Sequence, residues 1–165
     1  MHLWMGKLDE AESNRIRGYM RNEKVIEYNA LVNLASRLLP ADTFNHAVRV
    51  MQYVMSNPLI PEDIHDDCIV VAIAHDLLED TNINIGSLPI CCGATTINAL
   101  KLLTKEEDVE YVDYIKNLKQ NFLMPAGQIA YWVKMADMKD HLAQKATLTD
   151  RLKKKYLEAL PFLLP

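Results

Sequence analysis

Ala74-His75-Asp76-Leu77-Leu78-Glu79-Asp80-Thr81 places one imidazole and three carboxylates at the end of an apolar run. Ile69 to Ala74 carries no polar side chain, so this segment reads as a buried helix. A buried imidazole or carboxylate needs a partner, or a metal that uses it. On a continuous helix His75 lies over Glu79 and Asp76 over Asp80, because residues four apart share a face. Carboxylates packed that closely repel unless a cation or protons intervene. Glu79-Asp80 taken alone is equally an acidic helix end meeting solvent. His75-Asp76 inside the apolar run is harder to read that way.

Two further residues belong with this pair. His46 falls on the far side of an expected helix, Thr43 to Met55, from its main stripe of Phe44, Ala47, Val48, Met51 and Val54. It therefore faces a second interior, although a lone histidine there is more often a satisfied core residue than a ligand. Asp137 lies over Val133 and Ala130 on the buried side of a helix opened by Pro125. Two imidazoles and two carboxylates form a mixed nitrogen and oxygen set. Such a set suits Mn²⁺, Fe²⁺ or Zn²⁺ with open positions. An ion there lowers the pKa of water and takes charge from a phosphoryl oxygen. Glu79 and Asp80, one turn further on, could orient or deprotonate the attacking water.

The ordered set His46, His75-Asp76 and Asp137 resembles the HD-domain phosphohydrolases, whose signature is His…His-Asp…Asp on a helical bundle. Three segments narrow the resemblance to the hydrolase domain of RelA/SpoT-type proteins. His75-Asp76-Leu77-Leu78-Glu79-Asp80-Thr81 is similar to that group's His-Asp-x-x-Glu-Asp-Thr. Val133-Lys134-Met135-Ala136-Asp137 is similar to its Val-Lys-Leu-Ala-Asp, and Leu103-Thr104-Lys105 to its Leu/Val-Thr-Lys. Together they span about Thr43 to Leu142. The resemblance implies that His46, His75, Asp76 and Asp137 bind one Mn²⁺ and that Glu79 and Asp80 act on water. It implies removal of pyrophosphate from the 3′ position of (p)ppGpp by a stand-alone small alarmone hydrolase.

The chain departs from that group ahead of His46, where Gly-Gln-x-Arg-Lys…Pro-Tyr is usual. Arg37 is either the equivalent basic residue or a solvated helix-end arginine. His141 stands where the group has an asparagine, and is either a substrate contact or a surface residue. A bound pyrophosphate needs cations to converge, and Lys134, Lys105, Lys139 and Arg37 are the candidates. Two other readings stay open: an HD phosphohydrolase for another nucleotide, such as a monophosphate or cyclic nucleotide, and a non-catalytic metal-stabilised module binding nucleotide or protein.

An all-α scaffold, an HD-type helical bundle, has to position these residues. Glycine is scarce, hairpin dipeptides are absent, and apolar residues recur at helical spacing. Helices are expected over Val25–Leu39, with Ile26, Ala30, Leu31, Leu34, Ala35 and Leu38 inward; over Thr43–Met55, capped by Asp42-Thr43; and from Pro61 to Asp80. Further helices are expected over Leu88–Leu103 with Ile90 inward, Val109–Asn121, from Pro125 onwards, and Arg151–Leu160 before a Pro161-bounded tail. Residues 1–24 read as a peripheral helix or arm, with Ile16 and Tyr19 as anchors, on one domain spanning 1–165.

The 165 residues suffice for a real core, and 18 basic against 22 acidic residues give a net charge of −4. No basic stripe points to nucleic acid. No apolar run reaches the roughly 18 residues that span a bilayer, and no signal peptide is evident. A cytoplasmic protein with a small-molecule nucleotide substrate is expected, its oligomeric state open. Cys68, Cys91 and Cys92 are too few and wrongly spaced for a disulfide framework or thiolate zinc site, and read as small buried residues. His65, among acids, reads as surface.

Overall fold

The run Cys68–Ala74 has no exposed side chain in the computed structural model, which describes residues 8–165. A helix apolar all round must be covered all round, and this one, α4 (Glu62–Ala74), is the hub. Packed against it are α2 (Asn22–Leu38), α3 (Ala41–Met55), α6 (Ala94–Leu102) and α8 (Pro125–Ala143). The others are α1 (Glu10–Arg17), a short α5 (Leu77–Asp80), α7 (Tyr111–Gln120) and α9 (Asp150–Leu163), the last two packed together beside α8. No strand occurs among the described residues, and the fold is all-α. Their buried apolar side chains form one connected core from Leu8 to Leu163. No helix of the described residues is long and apolar enough to cross a membrane.

Several expectations need correction. The helix expected from Pro61 to Asp80 is interrupted at His75-Asp76, yet both residues keep helical backbone angles and the Asp80 N–H donates to the Asp76 carbonyl at 2.9 Å, so Asp76 still lies one turn before Asp80. The His75 ring donates to the Ala72 carbonyl at 2.6 Å, and its backbone N–H turns to the same oxygen at 3.5 Å. The ladder thus tightens where His75 swings inward. Helix α2 buries Lys24, Glu27 and Tyr28 beside Leu31, Val32 and Ala35, whereas Ile26 and Leu38 face solvent. A buried ion pair has turned the helix away from its apolar count. The helix expected from Leu88 starts only at Ala94, with Gly93 as its cap residue, and Ile90 is fully exposed in the preceding turn. The Glu27 carboxylate supplies that start from a distance, accepting from Thr96 Oγ1 at 2.6 Å and Gly93 N–H at 3.4 Å.

The remaining differences lie at element ends. Helix α3 begins at Ala41 after Pro40, so Asp42 sits in its first turn rather than capping it. Helix α9 runs through Pro161 to Leu163, because Leu163 is fully buried and its carbonyl accepts from Lys119 Nζ at 2.9 Å. At the other end, Met1 to Lys7 of the expected arm lie outside the described residues. Beyond them α1 buries Ile16, while Tyr19 is 71% exposed. Cys91 is exposed, unlike Cys68 and Cys92. His65 is half-buried against the Val54 carbonyl at 3.1 Å.

Candidate metal centre

Three helices and one break deliver the polar cluster. His46 points from α3 into the seam with α8, because the opposite face of α3 is already committed to Phe44, Val48 and Met51. Its two nitrogens are divided between two acids of α8: Nδ1 lies 2.6 Å from Asp140 Oδ2, and Nε2 lies 2.8 Å from Asp137 Oδ1. Asp137 and Asp140 are three apart and share a helix face. Arg49, three residues after His46, holds Asp140 with both prongs of its guanidinium, at 2.8 and 3.0 Å. His75 Nδ1 is tied to the Ala72 carbonyl, which leaves its Nε2 3.2 Å from Asp137 Oδ1 and 3.3 Å from Asp76 Oδ2. Asp76 Oδ2 is also 3.7 Å from His46 Nε2.

In both imidazoles, then, Nδ1 donates away from the centre and Nε2 is presented to it. A ligating histidine needs this division, since the partner of one nitrogen fixes which nitrogen the metal can use. His46, His75 and Asp76 each offer a donor atom within 4.8 Å of the other two, as do His46, Asp137 and His141. These buried groups could hold a metal ion. His141, expected as either a substrate contact or a surface residue, lines both cavities beside the cluster, with its Nε2 3.2 Å from Asp137 Oδ1 and its ring stacked on Tyr156 at 4.9 Å.

The electrostatics follow from the packing. Burial alone would raise the Asp137 pKa, but the Lys134 ammonium at 2.7 Å and the three imidazoles hold it well below the usual carboxylate range. Burial alone would lower the His46 pKa. Hydrogen bonds to Asp137 and Asp140 outweigh that and raise it to about 9. A proton on His46 therefore occupies the position a cation would otherwise fill. Glu79 and Asp80 stand at the mouth, in contact with solvent yet partly shielded by neighbours. That shielding raises both pKa values, helped by nearby Asp76. The Lys105 backbone N–H holds Glu79 Oε2 at 2.9 Å.

Two cavities flank the cluster. An open cleft of about 500 Å³ is lined by His46, Arg49, Asp76, Glu79, Asp80 and Asp140, among others. A small chamber of about 100 Å³ lies on the α7–α9 side and includes Lys105, Lys134, Lys155 and three tyrosines. A separate groove of about 1070 Å³, lined by Arg15, Gln52 and His65 among others, contains none of the cluster residues.

His46, His75, Asp76 and Asp137 meet at one point, with Glu79 and Asp80 at the rim. Lys134 reaches the point through Asp137, and Lys105 lines the chamber with its Nζ held by the Glu106 and Val109 carbonyls at 2.8 and 2.9 Å. Arg37 is exposed near the end of α2 and lines neither cavity. Lys139 lies 4.6 Å over the Tyr53 ring in a different groove. Sequence reasoning assigned no role to Arg49, Asp140 or Lys155. The three-residue spacings of Arg49 from His46 and of Asp140 from Asp137 were the available signal for the first two. No protein-family model and no curated protein sequence matches the chain.

Proposed function

We propose that the chain is a metal-dependent phosphohydrolase of the HD type. In this reading it removes pyrophosphate from the 3′ position of (p)ppGpp, a cytoplasmic nucleotide. The observation that carries the reading is the convergence of His46 Nε2 and His75 Nε2 with the Asp76 and Asp137 carboxylates, each Nδ1 tied elsewhere. This set would hold Mn²⁺, and its donor types also suit Fe²⁺ or Zn²⁺. A bound divalent ion supplies Lewis acidity and makes water a better nucleophile near neutral pH.

The protein's own residues do the rest. Asp140 and the Ala72 carbonyl keep each imidazole in one tautomer and one orientation. Glu79 and Asp80, raised above ordinary carboxylate pKa values, suit a group that accepts a proton from water and returns one to the leaving oxygen. Lys134 balances Asp137, so the centre is not left with bare buried carboxylates. The segments around His75, Lys105 and Asp137 support guanosine tetraphosphate as substrate. One observation favours another nucleotide: Arg37, the basic residue nearest before His46, lies outside both cavities.

The test is turnover of ppGpp by purified protein with Mn²⁺, reading GDP and pyrophosphate by ion-exchange chromatography beside a panel of mononucleotides and cyclic nucleotides. GDP and pyrophosphate are expected, and Glu79→Gln should keep the metal while losing about 10²-fold or more in turnover. Turnover of another nucleotide alone moves the assignment to that substrate. Silence across the panel with metal bound removes the enzymatic reading.

A further inference from the structure

The chamber beside the cluster differs in charge from the open cleft. In the cleft, Asp42, Asp76, Glu79, Asp80 and Asp140 stand against a single arginine and no lysine among the lining residues, and that arginine, Arg49, is already bound to Asp140. Three lysines converge on the chamber. Lys134 is spent on Asp137, and Lys105 Nζ is held by two backbone carbonyls. Lys155 has no carboxylate partner among the described residues. Its Nζ rests 4.5 Å from the centre of the Tyr111 ring and 5.2 Å from that of Tyr156. Tyr111 lines the same space, and its hydroxyl is shut off from solvent and finds no hydrogen-bond partner among the described residues. A buried hydroxyl left unpaired is costly, and a half-buried ammonium without an acceptor is poorly placed. Both shortfalls are met by one ligand carrying acceptor oxygens and negative charge.

We propose that this chamber is an anion subsite, in which Lys155 Nζ and Tyr111 Oη hold oxygens of a phosphoryl group. At about 100 Å³ it has the room of roughly three waters, enough for a phosphate and too little for a nucleoside. The nucleoside then lies in the wider cleft, on the other side of Asp76 and His141. Lys155 and Tyr111 select for a phosphoryl group at the reacting end of the substrate. This deepens the phosphohydrolase reading and rests on it for the identity of the ligand.

The probe is inorganic phosphate, titrated calorimetrically into the Mn²⁺-loaded full chain, so the result does not depend on turnover. Wild type is expected to bind. Lys155→Met should weaken phosphate by about 10-fold or more, and Tyr111→Phe by about 3- to 10-fold, with Mn²⁺ stoichiometry unchanged in both. Lys153→Met, on the exposed face of α9, should bind as wild type. Tyr111→Phe should also melt no lower than wild type in the absence of phosphate, since the hydroxyl it removes is unpaired. No binding by wild type, or equal binding by all three variants with metal retained, overturns the subsite. Normal phosphate affinity with a lowered melting temperature in Lys155→Met assigns that lysine to packing on the tyrosines and also overturns it. Loss of turnover on every nucleotide in wild type, with phosphate binding and its variant dependence intact, would sink the enzymatic reading and leave the subsite standing.

Discussion

Two buried polar clusters draw on α4, one through Asp67 within the helix and one through His75 at its C-terminal end, and only one of them looks built to change state. In the first, Lys24 Nζ lies 2.6 Å from both Glu27 Oε1 and Asp67 Oδ1. Glu27 also caps α6 through Thr96 and Gly93, and Arg21 reaches Asp67 at 3.5 Å. Its acids and bases are paired locally, and the cluster ties α2, α4 and α6 together. The second joins His46, His75, Asp76, Asp137 and Asp140. With its imidazoles neutral, three carboxylates face only Lys134 and Arg49. The deficit is met by a proton on His46 or by a cation. Buried charge is thus no mark of function in itself. A site declares itself by a charge deficit, by titratable donors with a spare lone pair, and by opening onto cavities.

The largest effect that separates the two is expected from Asp137→Ala. It removes a donor common to three imidazole contacts and strands Lys134 without its partner. Metal stoichiometry should fall from near one to near zero by elemental analysis, and turnover should fall to background. Undiminished metal content would take Asp137 out of the ligand set. Lys24→Ala should do the reverse. Breaking a buried ion pair from one side costs about 3 kcal/mol, read as a shift in urea midpoint, while metal content and turnover of the folded protein stay at wild-type levels. A loss of metal in Lys24→Ala would erase the distinction between the clusters.

The pH dependence sharpens the same contrast. The folded-state pKa of His46 is raised from 6.5 to about 9. In metal-free protein its stabilisation is therefore complete below about pH 6.5 and is lost as pH rises through 9. Roughly 2 kcal/mol should disappear between pH 7 and pH 10. Lys24 is raised above its already high value, since its hydrogen bonds to Asp67 and Glu27 outweigh burial, so its cluster keeps its charge across that window. Metal-loaded protein, whose imidazoles need no proton, should show little of the alkaline loss. Denaturation at pH 7 and pH 10, with Mn²⁺ and after chelation, checks this. Equal alkaline losses with and without metal would place the titration elsewhere.

How much of this could be read from the residues depends on which interactions are local. The all-α class, the burial of α4 and the inward turn of His46 follow from spacing along one helix, and the structure has them. The face of α2 was misjudged because Lys24 and Glu27 count as surface residues until Asp67 and Thr96, distant in sequence, appear beside them. The late start of α6 has the same source, since its capping carboxylate comes from α2. At the site, His46, His75, Asp76 and Asp137 were legible because each is a polar residue on an otherwise apolar face. Asp140 and Arg49 were not, because their value lies in the crossing of α3 and α8. Lys155 and Tyr111 acquire theirs only when α7 and α9 close over the cluster.

Asp140 yields the smallest effect and the most discriminating one. It lies outside the converging donors and is fully buried, and it acts on His46 through Nδ1. Asp140→Asn keeps an acceptor for the Nδ1 proton but removes the negative charge that makes the imidazole a stronger base and anchors Arg49. Mn²⁺ affinity at pH 9 should fall about 10-fold, the usual scale for a residue that orients a ligand. Towards pH 7 the gap should narrow. In wild type a proton on His46 competes with the metal there, and without Asp140 the imidazole gives up that proton more readily. Calorimetric titration of Mn²⁺ at the two pH values reads both effects. A gap of the same size at each pH would mean that Asp140 serves α3 and α8 as a brace, as Asp67 serves α2 and α4, and that His46 does not depend on it for its basicity.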